Sequence, residues 1–82
     1  MEFQFTDDER EAAEENFALA VDVRGREVLV GLTFEETAFV ITYRRAFVLG
    51  EAQDDESRAQ FVALNARHEV SRIQGVANYK QR

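Results

Sequence analysis

The chain has 82 residues, a formal charge of −6, no cysteine and no proline. That length sets one domain, and the missing thiols exclude disulfides and thiolate zinc sites. The acidic balance makes most of the surface repel nucleic acid, so basic partners suit it better than direct nucleic-acid binding.

The charge is unevenly placed. Residues 1–16 are net −6, residues 17–50 balance, residues 51–69 are net −3 and residues 70–82 are net +3. MEFQFTDDERE has neither a basic n-region nor an apolar h-region, and no apolar run reaches membrane-spanning length. With no disulfide staples, these features give an expectation of a cytoplasmic protein with no membrane partner.

Phe3 and Phe5 alternate at the start, as a short strand or an apolar arm. Thr6-Asp7-Asp8-Glu9 then reads as a capping box, with Thr6 closing the helix start and Glu9 reaching back. It predicts a helix over about 7–16, with three carboxylates at the positive end of its dipole.

Phe17, Leu19, Val21 and Val23 alternate with smaller or polar residues, the period of a half-buried strand. Arg24-Gly25 is the expected two-residue turn, and Glu27 to Leu32 the returning strand. Thr33-Phe34-Glu35-Glu36 is a second capping box and predicts a helix over about 34–48. The segment AFVITYRRAFVL, however, is rich in β-branched and aromatic residues, which favour strands. A third strand of a meander is the alternative; the specific cap favours the helix.

Asp54 or Asp55 caps a last helix over about 56–74, and Gly75 is expected to end it. The domain is thus set at 1–75, with 76–82 as a flexible tail. On this helix Ala59, Val62, Ala63, Ala66, Val70 and Ile73 share one face, the expected core stripe. The expected fold is α+β: an N-terminal helix, a β-hairpin, and a C-terminal helical pair packed on the sheet.

The chemistry-bearing residues are few. His68-Glu69 would need a second histidine at 72 for a zinc helix, and Arg72 stands there. Ser57 and Ser71 fall within the last helix rather than on a strained turn. No glycine-rich phosphate loop is present. These patterns call for no enzyme activity, no cofactor and no metal.

Two surfaces stand out. Asp7, Asp8, Glu11, Glu14 and Glu15 fall within an arc of about 120° on the first helix. A solvated face is the plain interpretation of this ridge; a surface that mimics nucleic-acid phosphates is the sharper one. Phe61, Leu64, His68 and Arg72 lie on the last helix opposite the alanine-rich stripe. Aromatic and arginine residues are enriched in interfaces, so they form the expected partner-binding patch. If that helix is buried on both sides, the same residues belong to the core.

The expected function is a small acidic protein-protein interaction module that self-associates as a homodimer. The alternative is a phage-type acidic inhibitor or DNA mimic that blocks a basic nucleic-acid-binding protein. The arginines at 24, 26, 44, 45 and 72, with Lys80 and Arg82, are expected to be scattered and solvated.

Overall fold

The computed structural model describes the backbone of residues 3–80 and the side chains of residues 3–75. In chain order the elements are α1 (Asp7–Glu15), β1 (Leu19–Val21), β2 (Glu27–Leu29), α2 (Phe34–Val48) and α3 (Asp55–Lys80). The α+β expectation holds, with a two-stranded antiparallel hairpin in register Leu19↔Leu29, Ala20↔Val28 and Val21↔Glu27.

Phe3 and Phe5 form an arm rather than a strand. Their rings meet edge-on with centroids 5.0 Å apart, and Phe5 is buried in the core. Both capping boxes form. The Thr6 hydroxyl accepts from the Glu9 amide while Glu9 Oε1 accepts from the Thr6 amide, and Thr33 and Glu36 repeat the exchange.

The end of α1 explains why the first strand is shorter than its alternating pattern. The Phe17 amide donates to the Glu14 carbonyl and the Ala18 amide to the Ala13 carbonyl. This is a Schellman closure, with Phe17 at φ 58 where glycine is usual. Residues 17 and 18 are consumed in stopping the helix, so pairing starts at Leu19.

The hairpin turn also differs from the expected Arg24-Gly25 pair. The Gly25 amide donates to the Asp22 carbonyl at 3.0 Å, and Gly25 takes φ 79. Asp22 Oδ1 accepts from the Arg24 and Arg26 amides, both at 2.9 Å. Val23 and Arg24 therefore make the turn and Gly25 supplies the left-handed residue after it, a three-residue loop. The second strand stops at Leu29 rather than Leu32, because Leu32 closes a turn onto the Leu29 carbonyl with Gly31 at φ 85.

Residues 34–48 are helical, so the three-stranded meander is excluded. A helix apolar almost all round needs neighbours on several sides. The core of Phe5, Ala13, Ala18, Leu29, Leu32, Val40, Ile41 and Leu64 draws on the arm, α1, the hairpin and α3 around α2. Thr37 is fully buried, and its Oγ1 accepts from the Leu29 amide at 3.0 Å.

Asp54 caps α3 by accepting from the Ser57 amide at 2.7 Å. The helix does not end at Gly75: its backbone continues to Lys80. Gly75 keeps ordinary helical φ, and a mid-helix glycine costs only ~1 kcal/mol. Of the segment expected to be a tail, residues 76–80 continue the helical backbone, while their side chains and residues 81–82 lie outside the described residues.

Arg45 joins α2 to the start of α1, with Nη2 2.6 Å from Glu9 Oε1 and Nε 2.9 Å from Oε2. The Arg45 hydrogen bonds hold the Glu9 carboxyl down at about 2, against an ordinary 4.5. Its contribution is therefore complete above about 4.5 and is lost as pH falls through about 2. Two-fifths of the Arg45 side chain is exposed, so screening limits the pair to ~1 kcal/mol. Glu9→Gln should lower stability at neutral pH by that amount and flatten its decline between pH 4.5 and 2. Urea titrations across that range measure it; parallel curves for the two proteins would refute the assignment.

Candidate functional site

The two faces of α3 are exchanged relative to expectation. Leu64 and His68 are 8% and 2% exposed, and Phe61 packs against the core. Phe61 stacks on Tyr43 of α2 with centroids 4.3 Å apart. His68 Nδ1 lies 2.7 Å from the Val30 carbonyl; a carbonyl can only accept, so Nδ1 donates. Arg72 pairs with Glu69 at 2.9 Å and reaches the Asn16 carbonyl at 3.3 Å. The expected partner patch is therefore the inner side of the helix.

The expected core stripe faces outward instead. Val62, Val70 and Ile73 are 59%, 56% and 57% exposed, and Ala59, Ala63 and Ala66 are exposed beside them. Specific partners distinguish the faces. The outward stripe holds more apolar side chains, but the inner face meets its neighbours: Phe61 stacks on Tyr43, Leu64 joins the core, and His68 and Arg72 donate to the Val30 and Asn16 carbonyls.

Asp7, Asp8, Glu11, Glu14 and Glu15 are all exposed on the outer side of α1. They project where a surface helix carries its charges. The other carboxylate of that helix, Glu9, turns inward to Arg45.

The cationic residues are less scattered than the sequence suggests. Arg26 pairs with Asp22 at 2.9 Å and lies 4.2 Å above the Phe34 ring. Arg67 pairs with Glu36. Arg44, Arg45 and Arg72 converge on one cleft between α1, α2 and α3, of about 780 Å³. Leu29 and Ile41 contribute to its floor and Val48 and Leu49 to its α2 wall.

Arg44 differs from the other two. Its Nη2 donates to Asn65 Oδ1 at 3.0 Å, and among the described residues no carboxylate lies within ion-pair distance of it. Partial burial pushes its guanidinium below the usual range, and the more distant Glu69 and Glu9 only partly oppose this. Nothing in the spacing signals this: adjacent arginines in an apolar helix do not reveal which will meet an acid.

Among the described residues no three histidine, aspartate or glutamate side chains converge as a metal site. No helix among them is long and apolar enough to cross a membrane. Comparison with protein families, characterised proteins and solved structures finds no match to this chain.

Proposed function

We propose that the chain is a non-enzymatic protein-protein interaction module that self-associates through the outward face of α3. The observation that carries this reading is the exposed run Ala59, Ala63, Ala66, Val70 and Ile73. Its spacing alternates between four and three residues, the repeat of a seam that packs against another helix. A solvated helix face has no need of it.

A second copy is the occupant that fits. Small side chains fill the first half of the run and larger ones the second. An antiparallel two-fold pairing sets Ala66 against Val70 of the partner subunit and Ala63 against Ile73 of the partner subunit. Each contact then occurs twice, as an isologous interface requires. A parallel pairing would set alanine on alanine and leave gaps. The flanking Arg67 and Glu69 are each held by an ion pair within their own chain, with Glu36 and Arg72. Charge at the seam's edge is thus largely compensated before association.

The expected mass in sedimentation velocity is twice the 9.4 kDa of the chain, falling towards one chain on dilution. Val70→Glu combined with Ile73→Glu should give a folded monomer with the parent's circular dichroism spectrum, because both side chains are more than half exposed, and a melting temperature that no longer depends on concentration. A protein monomeric at every concentration, or a dimer indifferent to the double substitution, would refute the reading.

A further inference from the structure

The cleft between α1, α2 and α3 lies on the opposite side of α3 from the outward stripe, and it combines three features. It is locally cationic within an acidic chain: Arg44, Arg45 and Arg72 line it against Glu9 and Glu69. Both glutamates are already held, by Arg45 and Arg72, which leaves Arg44 as the cleft's cation without a counter-charge among the described residues. Its apolar lining is also partly uncovered, since Val48 and Leu49 are 83% and 74% exposed.

We propose that this cleft binds a small amphipathic carboxylate, a flexible apolar chain ending in one carboxylate, with the carboxylate on Arg44 and the chain along Val48 and Leu49. Guanidinium has five N–H donors in a fixed fork, and Arg44 commits one nitrogen to Asn65. A carboxylate matches the remaining fork bidentately. A partly desolvated cation gains more from such a partner than a fully hydrated one, because the low local dielectric strengthens the pair.

Charge and shape narrow the ligand further. Glu9 and Glu69 lie close enough to act on Arg44, so a dianion such as a phosphate monoester is disfavoured against a single carboxylate. Side-chain bridges join the cleft's walls at both ends of the α1 face: Arg45 to Glu9 at the first turn, Arg72 to the Asn16 carbonyl at the last. They bound the length of the site and favour a small molecule over a polypeptide running through. The volume of about 780 Å³ falls within the range of small-molecule clefts.

The test is calorimetric titration of the full chain with sodium dodecanoate below its micelle concentration, beside dodecanol as the uncharged analogue. One dodecanoate per chain is expected, bound more tightly than dodecanol. Arg44→Met should weaken dodecanoate about tenfold or more and leave dodecanol unchanged, as the loss of a charge-assisted hydrogen-bonded pair predicts. Ala12→Trp, at an exposed position of α1 that lines the cleft, should fill the site and abolish binding of both while circular dichroism stays that of the parent. The Val70→Glu, Ile73→Glu variant should bind dodecanoate as the parent does, so that failure of the dimer and failure of the cleft are told apart. Absence of dodecanoate binding, or binding indifferent to Arg44→Met and Ala12→Trp, overturns the proposal. A loss of self-association in Ala12→Trp, with no dodecanoate bound by the parent, overturns it in favour of a second copy in the cleft.

Discussion

Leu29→Ala should remove about 2–5 kcal/mol of stability. Leu29 is 1% exposed and among the largest fully buried side chains. It is the last residue of β2, the hairpin strand that packs on α2, and its own amide is held by Thr37 Oγ1. A chain of this size has a total stability of about 4–12 kcal/mol, so this one truncation takes a large part of it. The melting temperature should fall by more than ~10 °C. Because Leu29 also contributes to the cleft floor, the space left behind can take up water and relax, which places the expected loss near 3 kcal/mol rather than at the top of the range. Val62→Ala, at a side chain 59% exposed on the outer side of α3, should change the monomer's stability by less than ~0.5 kcal/mol. Urea unfolding followed by circular dichroism compares the two. Equal losses would mean that the core has been placed on the wrong side of α3.

Gly31→Ala should be nearly as damaging, about 2–4 kcal/mol, for two separable reasons. Gly31 sits at φ 85, where a side chain costs roughly 1–2 kcal/mol. A Cβ there would also lie 2.7 Å from Ser71 Cβ and collide with Ser71 Oγ. α3 would have to move off the turn, straining the adjacent bond from His68 to the Val30 carbonyl; such overpacking costs about 1–3 kcal/mol. A double-mutant cycle separates the two parts. Ser71→Gly removes both colliding atoms, so in that background Gly31→Ala should cost only the backbone part, with a coupling of about 1 kcal/mol or more between the sites. Strict additivity would show that the helix does not press on the turn in solution.

Much of the architecture was legible because the chain announces its helix starts. Two Thr-x-x-Glu boxes fix the beginnings of α1 and α2, and the second of them decides against the strand propensity of AFVITYRRAFV. That propensity was misleading because the first half of α2 is buried among its neighbours at Thr37, Ala38, Val40 and Ile41, and such burial favours the same residues as a buried strand. Boundaries depending on backbone closure were harder. Phe17 takes a left-handed position usually held by glycine, and Asp22 rather than Gly25 organises the turn. The orientation of α3 was not legible from apolar content, since the outward stripe holds more apolar side chains than the face of Phe61 and Leu64; the groups that fix it, Tyr43 and the Val30 and Asn16 carbonyls, come from other parts of the chain. Arg44 could not have been singled out, since its lack of an acidic partner among the described residues depends on how three helices meet.

Each capping glutamate is engaged twice. Glu9 accepts from the Thr6 amide and from Arg45 of α2, while Glu36 accepts from the Thr33 amide and pairs with Arg67 of α3. Helix ends ordinarily fray, and their amides exchange with solvent through small local openings. Here an opening at either start also releases a cross-helix ion pair, so fraying is coupled to separation of the helices. The Thr6 and Thr33 amides should therefore exchange hydrogen more slowly than their positions at helix starts suggest. The added protection should be about what one partly exposed ion pair is worth, ~1 kcal/mol, tying the initiation of α1 to α2 and that of α2 to α3.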